Sequence, residues 1–278
     1  MAFSIGMNTV VFGSSDLEAA LQQVQWAGFE CVELACLPGM AAHVDPGMSP
    51  EARKEARAAI EASGLRVVAM EAATNILDQD RRAWFIQALE LARDLGVPTV
   101  STGTGGQMTD VDYERSVAAA RELAEAGRRT GVRVAIKAHV NQAVHNAKTA
   151  RSLADAVGSE WLGVNYDPTH LFREGDDVLA ALDVLKGAIA HVHFRDVAGG
   201  GKQIGPPETQ APGCGVLDLG AIWRKLHAIG YDRAVDLEII GAHGYEPERA
   251  SALAGQARGF FRRLEIEAAG AQRAVKLA

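Results

Sequence analysis

Two kinds of hydrophobic pattern alternate along the chain. In the first kind, apolar residues recur every three or four positions, as in residues 16–27, which carry Leu17, Leu21 and Val24 behind a possible N-cap at Asp16. This spacing is typical of an amphipathic helix. The pattern predicts further helices over residues 50–63, 81–95 and 112–130.

The second kind is a short, almost continuously apolar run, which is typical of a parallel strand covered on both faces. Residues 132–136, Val-Arg-Val-Ala-Ile, are an example. The sequence predicts eight such strands, over residues 3–10, 29–34, 65–71, 97–102, 132–139, 161–167, 188–193 and 234–240.

A glycine separates each helical segment from the strand that follows it. Glycine is favoured just after a helix end, where the chain turns through positive φ. Eight βα units in about 250 residues predict a single-domain (β/α)8 TIM barrel over residues 1–278, closed by a helix over residues 246–268. An open doubly wound sheet is the rival fold, but the turn at residues 11–15 lacks its GxGxxG phosphate motif. The seven glycines are Gly28, Gly64, Gly96, Gly131, Gly158, Gly187 and Gly230.

Amino-acid composition and net charge argue against some classes of function. The 278 residues are 48% hydrophobic and 23% charged, with 28 Lys and Arg against 35 Asp and Glu, so the net charge is −7. This balance predicts a globular protein and argues against sequence-independent nucleic-acid binding, which needs a basic surface. We expect no membrane span and no signal peptide, and therefore a cytoplasmic protein. Cys31, Cys36 and Cys214 lack metal or disulfide spacing and are expected to be buried.

Polar side chains gather at the predicted carboxyl ends of the strands, where barrel enzymes have their active sites. Glu238 lies between Leu237 and Ile239 in a buried strand, where a carboxylate needs a partner. Carboxylates and imidazoles converging on one pocket suit a divalent cation such as Mn²⁺, Co²⁺, Mg²⁺ or Zn²⁺. The residues at these ends include Glu71, Lys137, His139, Asn165, Asp167, His170, His191, His193, Arg195, Asp236 and Glu238.

Three of these segments resemble the xylose isomerase-like TIM-barrel superfamily. They are Asp-Pro-Thr-His at residues 167–170, His-Val-His-Phe-Arg-Asp at residues 191–196, and Leu-Glu at residues 237–238. The Gly-Cys-Gly stretch at residues 213–215 also looks like the family's entry to its seventh helix. The resemblance covers nearly the whole chain and implies the same barrel.

In sugar-acting members of that superfamily, a Glu, an Asp, a His and a second Glu hold one divalent metal. The resemblance places Asp167, His193 and Glu238 in three of these positions, but Lys137 stands where the first Glu is expected. An ammonium group cannot ligate a cation. Three interpretations stay open: the metal keeps three protein ligands and water, with possible help from His139; Lys137 replaces the metal; or Lys137 is a base or Schiff-base amine beside it.

The resemblance implies proton removal next to a carbonyl- or hydroxyl-bearing carbon, through an enediolate. We therefore expect a divalent-metal-dependent isomerase or epimerase of a sugar or polyol, with Lys137 and Glu238 as catalytic residues. The same intermediate permits a sugar or inosose dehydratase, and a non-catalytic sugar-binding protein is a further alternative. Homo-oligomers are possible. The expected substrate contacts are Glu71, His139, His170 and Arg195.

The sequence also argues against a DNA-repair activity and suggests roles for two loops. A DNA-repair endonuclease of the same superfamily needs further metal ligands that Val32-Glu33-Leu34 and residues 205–210 do not supply. Residues 198–215, rich in Gly and Pro, are expected to form a lid over the site. Residues 102–106, Thr-Gly-Thr-Gly-Gly, form either a phosphate cradle or a plain turn.

Overall fold

The protein forms a barrel of parallel strands surrounded by helices. A computed structural model describes residues 3–277, with side chains as far as residue 269. Eight parallel strands build the barrel, and β3 is a short antiparallel addition that pairs with β2. The strands are β1 (Ser4–Asn8), β2 (Cys31–Leu37), β3 (Ala41–Ala42), β4 (Arg66–Glu71), β5 (Thr99–Thr102), β6 (Arg133–Lys137), β7 (Leu162–Tyr166), β8 (Ile189–Val192) and β9 (Ala234–Leu237).

The strand order confirms the predicted (β/α)8 TIM barrel. Hydrogen-bonded neighbours run β8-β7-β6-β5-β4-β2-β1-β9. The two end strands meet through one isolated parallel bridge, between His193 and Asp236. Phe194 N donates to Asp236 O at 2.8 Å and supports the same seam. The barrel is therefore nearly closed, and a single backbone bridge joins β8 to β9.

Helices cover the outside of the barrel. The prediction for residues 50–63 is exact, whereas the last helix extends beyond the predicted residues 246–268. The helices are α1 (Leu17–Trp26), α2 (Pro50–Ser63), α3 (Gln79–Leu95), α4 (Asp110–Thr130), α5 (Ala147–Val157), α6 (Pro168–Arg173), α7 (Val178–Leu185), α8 (Pro207–Gln210), α9 (Leu219–Ala228) and α10 (Pro247–Leu277).

Local chemistry sets where these helices begin and end. The Asp16 side chain accepts a hydrogen bond from Ala19 N, which satisfies a free amide in the first turn of α1. All seven glycines that the sequence singled out have positive φ. Gly131, for example, ends α4 at φ +73°, a conformation that residues with a Cβ rarely adopt.

Apolar side chains fill the layer between strands and helices, as in Val100, Leu123 and Val134, none of which has exposed surface. Among the described residues, no helix has the length and the apolar character that a membrane crossing requires. Cys31 and Cys36 are buried as expected, but Cys214 is exposed because it lies in the long segment after β8. That part of the prediction is wrong.

Candidate active site

A cavity of about 350 Å³ opens at the carboxyl ends of the barrel strands. Glu71 ends β4 and Lys137 ends β6, so the alternation of each strand directs its last side chain into the barrel. All six residues that the sequence predicted as catalytic or substrate-binding line this cavity: Glu71, Lys137, His139, His170, Arg195 and Glu238. Residues 198–215, the expected lid, do not line it.

Lys137 is buried between two carboxylates. Its Nζ donates to Glu71 Oε1 at 2.8 Å and to Glu238 Oε1 at 3.0 Å. Burial alone would lower the pKa of the amine, but the negative charges of Glu238 and Glu71 outweigh it and raise the pKa above its ordinary value. Lys137 is therefore an ammonium ion, which can polarise an oxygen or donate a proton but cannot act as a free base.

Arg195 joins the carboxylates of Asp167 and Glu238. Its Nη2 lies 2.8 Å from Asp167 Oδ2 and 2.7 Å from Glu238 Oε2. The first contact is an aligned hydrogen bond, whereas the second is an ion pair without hydrogen-bond alignment. Burial would raise the pKa of the Glu238 carboxyl, but Arg195 and Lys137 hold it well below the ordinary value. Glu238 is therefore ionised.

Asp167 has two structural roles. Its Oδ1 accepts from Thr169 N at 2.9 Å and from Thr169 Oγ1 at 2.7 Å, and so caps α6. Its other oxygen faces Arg195. Burial opposes ionisation, but Arg195 and His170 lower the pKa of this carboxyl below its ordinary value. Asp167 is thus both the N-cap of α6 and a charged residue of the site.

His193 lies beneath the cavity, near the other two predicted metal ligands. Its Nδ1 is 3.4 Å from Glu238 Oε1 and 4.0 Å from Asp167 Oδ2. Its Nε2 is 2.8 Å from Glu33 Oε2. Burial would lower the pKa of His193, but the Glu33 charge outweighs it and raises the pKa to about 10. The structure brings Asp167, His193 and Glu238 together around His193 Nδ1.

The pKa of the Glu71 carboxyl is raised, whereas the pKa values of Glu238 and Asp167 are lowered. Burial and the nearby charge of Glu238 raise its pKa to about 7, although Lys137 opposes the shift. Its second oxygen accepts from Asn8 Nδ2 at 3.0 Å. Glu71 and Glu238 thus flank the same ammonium group while differing strongly in proton affinity.

His139 and His170 form one wall of the cavity, with ring centres 4.0 Å apart. His170 Nδ1 accepts from Val140 N at 3.2 Å, so any proton of the neutral ring is on Nε2. His139 Nδ1 lies 2.9 Å from Val140 O and donates to it, which leaves its Nε2 as an acceptor. Burial lowers the pKa of His139 to about 4 and that of His170 well below its ordinary value. Two neutral rings therefore offer one donor and one acceptor to hydroxyl groups.

The described residues contain two groups whose ligand atoms lie within 4.8 Å of one another and could hold a metal ion. One group is Glu71, His193 and Glu238, at the floor of the cavity. The other is Glu33, His191 and His193, deeper in the barrel. Candidate metal ligands are thus present, although neither group includes Asp167.

Sequence reasoning missed residues that support the site. Asn8 donates to both Glu33 and Glu71, and an amide at the end of an apolar strand was the available signal. Gln210 gave no signal, because it reaches Arg195 Nη1, at 3.4 Å, from the long segment after β8. Gln142 accepts the amides of residues 104 and 105, so these two amides are not free to bind a phosphate.

The barrel, the cavity at its carboxyl ends and the buried acid–base groups define a TIM-barrel protein with an enzyme-like site. The family model described as "Xylose isomerase-like TIM barrel" matches residues 21–264. The chain belongs to this family.

Two of the proteins to which the chain is similar are named as an inosose dehydratase and an L-ribulose 3-epimerase. An inosose dehydratase of Lacticaseibacillus casei is 23% identical over 145 residues, which cover 47% of this chain and 48% of the relative. The chain thus matches about half the length of this curated relative. A solved L-ribulose 3-epimerase is 25% identical with a TM-score of 0.75, covering 100% of this chain and 99% of the other.

A third comparison concerns a protein that binds a metal. The structure of IOLI protein with a bound zinc atom has a TM-score of 0.77 and 19% identity, covering 92% of this chain and 96% of the other. At this identity the likeness shows the fold alone. Two of these relatives carry the names of enzymes, an inosose dehydratase and an L-ribulose 3-epimerase.

Proposed function

We propose that the protein is a sugar isomerase or epimerase that moves a proton at a carbon next to a carbonyl group. The observation that carries this proposal is the Lys137 ammonium, held between Glu71 and Glu238 in the cavity. A volume of about 350 Å³ lies within the range of about 300–1,000 Å³ for small-molecule sites. Proton donor and acceptor groups meet in that space.

The charges of these groups suggest a catalytic role for each of them. Removal of a proton next to a carbonyl places negative charge on the carbonyl oxygen, and a fixed ammonium beside that oxygen stabilises it. Lys137 supplies this charge, while the flanking carboxylates of Glu71 and Glu238 are the proton acceptors. His139, His170 and Arg195 hold the remaining substrate oxygens.

A divalent cation in the position that the resemblance implies conflicts with the contacts of this site. Asp167, His193 and Glu238 are the ligands that the resemblance suggests for Mn²⁺, Co²⁺, Mg²⁺ or Zn²⁺. Lys137 and Arg195, however, already contact the Glu238 oxygens, and Arg195 also holds Asp167 Oδ2. The carboxylates of Asp167 and Glu238 are thus already paired with Lys137 and Arg195. The four-ligand pattern does not fit these residues, and no step of the proposed reaction passes through a metal there.

Dehydration of an inosose is the second candidate function, favoured by the match to an inosose dehydratase. It begins with the same proton removal but ends with loss of a hydroxyl group from the neighbouring carbon. The two candidates therefore share a site and differ in product.

Incubation of the protein with keto sugars and inososes in D₂O, followed by NMR, tests the proposal. An isomerase or epimerase produces an isomer labelled with deuterium at the reacting carbon, whereas a dehydratase produces a compound that has lost water. Binding of a sugar with neither exchange nor product identifies a non-catalytic binding protein and contradicts the proposal.

A further inference from the structure

One side of the cavity carries an arginine that the proposed reaction does not use. Arg81, in the first turn of α3, lines the cavity together with the cations Lys137 and Arg195. Carboxylates hold Lys137 and Arg195. The Arg81 guanidinium, in contrast, forms no ion pair and no hydrogen bond with the residues that the structure describes. Its charge is therefore available to a ligand.

The acidic residues near Arg81 do not offset this charge inside the cavity. Two carboxylates line the cavity, those of Glu71 and Glu238, and Lys137 contacts both. Asp78 precedes α3 and accepts from the backbone N of Arg81 at 3.0 Å, so it caps the helix and does not line the cavity. Arg81 thus adds a positive charge that no acid of the cavity wall neutralises.

Gln142 presents a hydrogen-bond donor to the same cavity. Its Oε1 accepts from Thr104 N and from Gly105 N, both at 2.8 Å. Because a backbone N–H needs an oxygen acceptor, these two bonds fix the orientation of the amide and leave Nε2 as its free end. Gln142 lines the cavity, and Nε2 has no hydrogen-bond partner in the described part of the chain.

Asn75 is oriented in the same way and lies against the same loop. Its Oδ1 accepts from Leu77 N at 3.1 Å, which leaves Nδ2 as the free end of a second amide that lines the cavity. A Cβ at Gly105 would lie 2.2 Å from Asn75 Oδ1, and a Cβ at Gly103 would lie 2.4 Å from Gln142 Oε1. These glycines therefore make room for the two amide side chains.

The free groups on this side of the cavity are donors. A guanidinium has no acceptor, and the oxygens of Asn75 and Gln142 are already occupied. A sugar hydroxyl both donates and accepts, so it suits a mixed pair such as His139 and His170. A phosphate or an ionised carboxylate only accepts, and its hydrogen bonds to arginine are roughly twice as strong as neutral ones. The donor set therefore suits an anionic group.

We propose that the substrate is a sugar with an anionic end group, a phosphate or a carboxylate, which Arg81, Asn75 and Gln142 bind. This inference rests on the proposed function and names the class of its substrate. Lys137 and Arg195 are 4% and 1% exposed at the cavity floor, whereas Arg81 is exposed at the mouth. The anionic group therefore lies at the mouth, and the carbonyl group lies at the floor.

Binding measurements that need no turnover test this inference. A panel of 2-ketopentoses and 2-ketohexoses, each as the free sugar, the terminal phosphate and the terminal carboxylate, is titrated into the protein by calorimetry. We expect an anionic member to bind at least tenfold more tightly than its free sugar, and Arg81→Gln to reduce this preference at least tenfold. The tighter of the two anionic forms identifies the end group. Arg128→Gln, which removes an exposed charge outside the cavity, should keep the preference.

Gln142→Glu provides a second variant. Its oxygens can still accept the two loop amides, but a negative oxygen replaces Nε2 and repels an anion. We expect the folded variant, checked by circular dichroism, to lose the preference at least tenfold as well.

Three results would overturn the inference: tightest binding by a free sugar, no binding by any anionic member, or an unchanged preference in Arg81→Gln. Deuterium exchange separates this failure from that of the proposed function. An anionic sugar that binds but never exchanges contradicts the proposed function alone. Exchange of free sugars, with no gain in binding from the anionic group, contradicts this inference alone.

Discussion

Lys137 and Glu238 meet across the barrel mouth, with Lys137 Nζ 3.0 Å from Glu238 Oε1. Lys137 ends β6, whereas Glu238 directly follows β9, so the pair joins strands that are not neighbours in the sheet. Truncation of one member of a buried ion pair leaves the other charge uncompensated. Each charge of the pair therefore depends on a side chain from the other strand.

Lys137→Glu should create a metal site at the cavity floor. The substitution removes a positive charge and places a third carboxylate, and so a fourth ligand, beside Asp167, His193 and Glu238. We expect the variant to bind one more Mn²⁺ per chain than the wild type, measured by metal analysis after equilibrium dialysis.

The exposed Lys54 provides the control for this change in charge. Lys54→Glu should leave the Mn²⁺ content at the wild-type value. If Lys137→Glu binds no more Mn²⁺ than Lys54→Glu does, the cavity floor lacks the ligand geometry that the resemblance implies.

Arg195→Lys should lower kcat/KM by about 10²–10³-fold, the loss typical when one positioned hydrogen-bond donor is displaced from a reacting centre. Arg195 Nη2 lies within 2.8 Å of both Asp167 and Glu238, and the shorter lysine also lacks the second nitrogen, Nη1, that contacts Gln210. Steady-state kinetics with the substrate found by NMR measures the effect.

Arg128→Lys is the matched control, because Arg128 forms an exposed ion pair with Glu125. It should leave kcat/KM unchanged. Near-normal kinetics of Arg195→Lys would show that the position needs only a positive charge and would contradict the bridging role.

The helix-ending glycines give a prediction about stability. Gly131→Ala should destabilise the protein by about 1–2 kcal/mol, because alanine at φ +73° is strained even though nothing lies within 4 Å of the new Cβ. Gly255→Ala, on the exposed face of α10, should instead stabilise it by about 1 kcal/mol. Urea unfolding of both variants gives the two signs, and equal shifts would contradict the assignment of Gly131 as a helix stop.

The sequence could predict the fold because each βα unit carries its own local signals. Asp16 caps α1, Gly131 stops α4, and an apolar run after each glycine becomes a strand. Candidate site residues could also be predicted from the sequence, because the carboxyl ends of all strands in a parallel barrel lie at the same end of the barrel. Glu71, Lys137 and Glu238 follow from this rule.

The partners of these residues could not be predicted, because they depend on distances across the barrel. Glu33 carries the same signal as Glu238, a carboxylate between apolar neighbours, yet its contact with His193 is set by how far β2 and β8 lie apart. Gln210 reaches Arg195 from a long segment whose path has no periodic pattern. The ionised state of Lys137 likewise depends on two carboxylates from distant strands.

Deuterium exchange by Lys137→Met is the most direct test of the central claim, that the buried ammonium promotes proton removal from a sugar carbon. Methionine keeps an apolar stem and removes the charge. The account predicts that wild-type protein exchanges the substrate proton in D₂O, and that folded Lys137→Met, checked by circular dichroism, does so about 10²–10³-fold more slowly. Lys54→Met should exchange at the wild-type rate. Exchange by Lys137→Met at nearly the wild-type rate would contradict the claim and leave Lys137 as a structural charge partner.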